Sequence, residues 1–149
     1  MIVRFPYPDT EPLHIPEDLH VTRLSLPRTK TEASEEQILR KALAEPIGSP
    51  PLRELAMGRG KALIVVDDVT RPTPVHKFAP LVLEELNAAG LSEQNIEFIV
   101  ALGTHRAMSP AEMAEKLGAD IAGRFAVHNH DWQDPEQLEF LGTPPQGAP

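Results

Sequence analysis

Ala62-Leu63-Ile64-Val65-Val66-Asp67-Asp68-Val69-Thr70-Arg71-Pro72-Thr73-Pro74 decides the fold. Its first five residues are uninterrupted aliphatics, the pattern of a buried strand in a parallel sheet. The strand then runs into two carboxylates, a hydroxyl and a guanidinium set between Thr70 and Pro72. A second run of this kind, Ile96-Glu97-Phe98-Ile99-Val100-Ala101-Leu102, leads into Gly103-Thr104-His105-Arg106. Ligands of open parallel sheets bind beyond the carboxyl ends of the strands. Both clusters are expected at that edge, so that Asp68, Arg71 and His105 converge on one pocket suited to a small anion.

The spacing around these two strands gives the remaining elements. Ser34 and Gln37 form the pattern of a capping box, with Ile38, Leu39, Ala42 and Leu43 following at helical spacing. A short helix over 52–57 is stopped by Gly58. Phe78, Val82, Leu83 and Leu86 define a helix ending near Gly90. Pro80 inside a helix costs about 3 kcal/mol, so the regular helix is expected to begin close to Pro80, with 73–77 as a separate turn or a kinked first turn. Ser109-Pro110-Ala111-Glu112 opens a helix that Gly118 ends. Further strands are expected at 124–130 and 138–141. Proline-punctuated β stretches at 2–5, 13–15 and 21–26 read as edge strands or a small N-terminal antiparallel flap, and the turn-rich tail from Gly142 fits either a single-domain protein or a fragment of something longer. The alternation of strands and helices makes the fold class α/β: a parallel, Rossmann-like sheet with flanking helices and a short N-terminal β flap.

Composition narrows the function. A chain of 149 residues can bury one real core. Its formal charge of −8 argues against nucleic acid, which needs clustered cations. No apolar run reaches the roughly 20 residues that span a bilayer, so no membrane association is expected. The absence of cysteine excludes disulfides and thiolate chemistry and fits a cytoplasmic location.

Each candidate residue also has an ordinary structural reading. Asp67 and Asp68 are residue types that cap helices and stabilise turns, and Arg71 could form a surface ion pair. The functional reading makes Arg71 a bidentate clamp on a carboxylate or phosphate. His105, after a glycine and a strand, is poised for proton transfer near neutral pH, although a loop histidine is often merely exposed. Arg106 is either a second anion ligand or an ordinary charge partner. The capped helix start at Ser109 brings a positive dipole end to the same edge. His128 and His130, two apart on a strand, could face one ion, but no further His or Cys lies nearby to complete a tetrahedral site. No metal site is assigned, and the role of these two histidines stays open.

Asp68-x-Thr70-Arg71-Pro-Thr-Pro, Ala101-Leu-Gly-Thr-His105-Arg, Met108-Ser-Pro-Ala-Glu-Met113 and Asn129-His130-Asp131 occur in this order. Together they resemble the N-terminal domain of the nickel-pincer-dependent lactate racemases, a family that includes racemases and epimerases of other 2-hydroxy acids. The resemblance implies that Arg71 holds the substrate carboxylate, with Asp68 and Thr70 also on the substrate-binding side, and that His105 is one of two catalytic histidines. It implies a hydride shuttle to a nickel-pincer nucleotide. The family's second catalytic His, cofactor-anchoring Lys and nickel-ligating His match no position here, so the cofactor-binding residues are unknown. The expectation is that 1–149 form the N-terminal α/β domain of a longer protein, inactive alone, with a small 2-hydroxy acid as its ligand and self-association through the surface left bare. The alternatives are a stand-alone binding module for a small carboxylate and, third, a metal hydrolase built on His128 and His130.

Overall fold

The structure is a computed structural model, and it describes residues 1–5, 9–22, 24 and 31–142. The chain divides into two compact units, 1–32 and 33–149. In the first, β1 (Ile2–Val3) pairs antiparallel with β2 (Leu13–His14). This gives the expected flap in reduced form. Of the stretch 21–26, Val21, Thr22 and Leu24 are not in a strand, and the rest lies outside the described residues, as does the tail from 143.

The second unit holds α1 (Glu35–Ala44), α2 (Leu52–Ala56), β3 (Ala62–Asp67), α3 (Val75–Ala88), β4 (Ile96–Ala101), α4 (Pro110–Leu117), α5 (Ala119–Arg124) and β5 (Ala126–Asn129). The three long-range strands form a parallel sheet in the order β3-β4-β5. Register pairs Val66 with Val100 and Asp67 with Ala101, so β3 and β4 end level with each other.

Side chains alternate across the sheet. Val66, Ile96, Phe98 and Val100 point to the helical side, where Val75, Ala79, Leu83 and Leu86 of α3 join Leu117, Ile121 and Phe125 in one core. Phe98 and Phe125 meet edge to face at 5.7 Å between ring centroids. The opposite face carries Leu63 and Val65, 57% and 64% exposed. The aliphatic run therefore does form a parallel strand, but one buried on a single face. Topology explains this. Right-handed crossovers that each advance one strand in the same direction lay their helices on one side; covering the other side requires a reversal of strand order, and β3-β4-β5 has none.

Three expectations are corrected. The helix does not wait for Pro80: α3 begins at Val75 and contains it. Pro80 removes one hydrogen bond, to the His76 carbonyl, at a position where both residues are exposed and water can replace it. Starting early buries Val75 and Ala79, each only 1% exposed. Burying a valine contributes roughly 1.5–3 kcal/mol, enough to offset the proline. Residues 138–141 are not a strand: no described strand lies beside them, and Phe140 and Leu141 are largely exposed. Finally, α5 fills 119–124, so that the last strand starts at Ala126 rather than Arg124.

Candidate functional site

The two strand ends place their loops side by side. After β3 the chain makes a turn closed by Arg71 N–H donating to the Asp68 carbonyl (3.2 Å). Asp68 Oδ1 accepts from the Thr70 backbone N–H (2.9 Å) and hydroxyl (2.6 Å), an Asx-type turn that an Asp in first position favours. After β4, the His105 N–H donates to the Leu102 carbonyl (3.0 Å). Gly103 has φ +58 and no non-glycine residue among the described residues has positive φ, the pattern of a type II′ turn, which takes glycine at its second position. That turn carries the imidazole back toward β3.

His105 Nδ1–H donates to Asp68 Oδ2 across the gap (2.5 Å). The carboxylate is buried, its side chain 5% exposed, whereas the imidazole is 49% exposed. Burial pushes the Asp68 carboxyl up, but hydrogen bonds from Thr70 and His105 outweigh it and hold the group at about 2. Asp68 is thus ionised at neutral pH and can only accept. Nδ1 must carry the proton, leaving Nε2 of the neutral ring with a free lone pair toward solvent.

Asp68, Arg71, Gly103, Thr104 and His105 line one open hollow of about 270 Å³. The structure therefore brings together Asp68, Thr70, Arg71 and His105. The Arg71 guanidinium forms no hydrogen bond or ion pair among the described residues and is free to take an anion. A larger hollow of about 430 Å³ lies between α1, α2 and α3, but Arg40 and Arg53 on its walls are already paired with Glu84 and Glu85. Chemistry rather than size selects the site.

Other candidates are not drawn in. Arg106 pairs bidentately with Glu112 (2.6 and 3.0 Å), making it a charge partner; that pairing holds the Glu112 carboxyl at about 2, helped by hydrogen bonds at Ser109. His128 faces Glu97 at 3.1 Å on the uncovered side of the sheet. Among the described residues no group of three His, Cys, Asp or Glu side chains gathers that could hold a metal ion.

Two braces were not foreseen. Asn129 accepts from Met108 N–H (3.1 Å) and donates to the Met108 carbonyl (3.0 Å), tying the loop after β4 to β5. Lys116 is buried and donates to the Arg71 carbonyl (2.8 Å). Its Nζ also lies 2.8 Å from Asp67 Oδ1, an ion pair without the alignment of a hydrogen bond, while the Thr73 hydroxyl donates to Asp67 Oδ2. A sequence signal existed for Lys116: with Met113 and Leu117 it falls on one helical face at i, i+3, i+4 spacing, and that face is apolar.

Comparison with known proteins now adds to this geometry. Residues 8–149 match the family described as "Lactate racemase N-terminal domain". The chain belongs to this family. It is 36% identical over 119 residues to lactate racemase of Thermoanaerobacterium thermosaccharolyticum, and 34% identical over 115 residues to lactate racemase of Lactiplantibacillus plantarum. These alignments cover 80% and 77% of this chain but only 28% and 27% of the relatives, so the chain spans a little over a quarter of their length. The structure resembles that of the lactate racemase apoprotein from T. thermosaccharolyticum, with a TM-score of 0.69 at 36% identity over 76% of this chain and 27% of the other. A crystal structure of a Thermotoga maritima protein matches with a TM-score of 0.57 at 31% identity, over 80% and 27% of the two chains.

Proposed function

We propose that this domain forms the carboxylate-binding and one proton-transfer wall of a racemase or epimerase acting on a small 2-hydroxy acid. The observation that carries the reading is the Asp68–His105 pair beside an unpaired Arg71. Arg71 holds the substrate carboxylate, bidentately where geometry allows. That fixes the adjacent carbon, so that its hydroxyl faces His105 Nε2, and Nε2 removes the hydroxyl proton as that carbon is oxidised to the ketone level. Asp68 acts on the substrate through the imidazole: it fixes the tautomer and stabilises the imidazolium that forms. Thr70 acts one step further back, satisfying the other oxygen of Asp68.

The other half of the step needs a hydride acceptor, which no amino-acid side chain supplies. The family resemblance points to the nickel-pincer nucleotide, but the described residues gather no metal-binding group, and no step at this site is assigned to it. We place the chain as the leading α/β part of a larger assembly, in which other polypeptide brings the second acid–base and the hydride acceptor. Alone it does not racemise. No helix among the described residues is long and apolar enough to cross a membrane, and a cysteine-free chain suits a reducing compartment such as the cytoplasm. The bare sheet face with Leu63 and Val65 suits a protein contact, a second copy included.

Interconversion of L- and D-lactate by the intact protein tests the reading. Turnover is expected, with Arg71→Lys raising KM roughly tenfold because a point charge replaces a planar fork. Lactate binding without turnover by the intact, cofactor-loaded protein would instead support a binding module for small carboxylates.

A further inference from the structure

We propose that Lys116 is a positioning residue for substrate binding, clamping the backbone that carries Arg71; this rests on the reading of Arg71 as the carboxylate ligand. A lysine with a side chain 6% exposed is costly to bury unless its charge is met. Here both of its partners belong to one loop. Nζ donates to the carbonyl of Arg71 itself and sits against Asp67, the last residue of β3. Thr73 closes the same loop from its far side through the other Asp67 oxygen. Burial pushes the Asp67 carboxyl up, but the Lys116 and Thr73 contacts bring it below its usual value. The loop 67–73 is therefore held at its beginning, at Arg71 and at its end, and of its polar side chains Arg71 alone has no partner among the described residues.

The helix that supplies Lys116 also braces the other half of the site. At its N-terminal end α4 is capped by Ser109, and Glu112 turns back to the Ser109 N–H and to Arg106, the neighbour of His105. Lys116 lies four residues further on, about 6 Å along the helix axis at 1.5 Å per residue. One rigid helix thus sets the spacing between the loop that binds the carboxylate and the loop that takes the proton. A bidentate grip demands such spacing, because small misplacements of a positioned group cost much of its effect.

The test is a double-mutant cycle on lactate racemisation by the intact protein, with melting curves recorded in parallel. Lys116→Met keeps the length and apolar stem and removes the donor. It is expected to raise KM about tenfold with kcat within about threefold of wild type, the signature of lost binding rather than lost chemistry. In the Arg71→Lys background, where the fork is already gone, Lys116→Met should raise KM less than about twofold further, because the two residues act through one contact. An unchanged KM in Lys116→Met, or the same tenfold loss in both backgrounds, overturns the clamp while leaving the racemase reading intact. A wild-type protein without lactate binding or turnover overturns both. Should Lys116→Met not fold, the cycle is repeated with Asp67→Asn/Lys116→Met, which removes both charges together. If that variant also lacks a cooperative melt, the pair is a folding element and the proposal falls.

Discussion

The two strand-to-helix junctions reach the same edge of the sheet by different means. The one after β3 is fastened by side chains: Asp67, Asp68, Thr70, Thr73 and Lys116 bond one another or the loop backbone. The one after β4 is fastened by a glycine turn whose backbone closes from His105 to Leu102, by the Asn129 side chain on the Met108 backbone and by the Arg106–Glu112 pair. The first buries Asp68 and Lys116 and leaves Arg71 reaching outward; the second leaves a half-exposed imidazole whose only described polar partner is Asp68. A group that must hold an anion in one orientation profits from a rigid seat. A group that must gain and lose a proton profits from one strong partner and one free nitrogen. On the proposed reading of Arg71 and His105, the junctions differ as those two tasks differ.

The sharpest way to break the comparison is at the imidazole. In the intact protein, His105→Ala is expected to reduce lactate racemisation by roughly 10²–10⁴-fold, in both directions because each direction requires both proton transfers. Bound lactate should still be held by Arg71. Near-normal rates would reduce His105 to an exposed loop residue. Asp68→Asn comes next: an amide can donate as well as accept, so the tautomer is no longer fixed, and a loss on the order of 10–100-fold is expected, by analogy with orienting partners elsewhere. Assaying the two variants alone and combined separates an orienting role from an independent one, since an orienter has little left to contribute once His105 is gone.

Two predictions concern stability. Asn129→Ala strands the Met108 N–H and carbonyl and should cost about 1–3 kcal/mol in urea unfolding, loosening the second junction while leaving the first unchanged. The acid response should belong to the first. Asp68 is held at about 2 in the folded state, against about 3.9 in an unfolded chain. Its contribution is present above the unfolded value and fades as pH falls toward 2. The gap in melting temperature between wild type and Asp68→Asn should therefore narrow between pH 5 and 2. A constant gap would mean that Asp68 titrates alike in both states.

Much of this was legible in the sequence, for physical reasons that also mark where legibility ends. The carboxyl ends of β3 and β4, the Ser34 and Ser109 caps and the glycine stops are local chemistry, and they fall where local chemistry puts them. The convergence of Asp68, Arg71 and His105 followed from one topological rule about strand ends. Pro80 misled because its local cost was visible and the core burial of Val75 and Ala79 was not. The run 62–66 fixed strand and direction, yet the bare face of Leu63 and Val65 depends on strand order, which no short window contains. Residues 138–141 had strand-like composition without a neighbour to pair with. Lys116 was the readable miss, a charge on an apolar helical stripe.

The most direct test of the central claim is nitrogen NMR of the His105 ring, with and without lactate, at a pH where the imidazole is neutral. The account predicts a proton on Nδ1, a bare Nε2 and a lactate-dependent change at Nε2 that is weakened in Arg71→Lys. A proton on Nε2, or an imidazole that does not respond to lactate in a protein that demonstrably binds it, would contradict the assignment of His105 as the proton acceptor of this site.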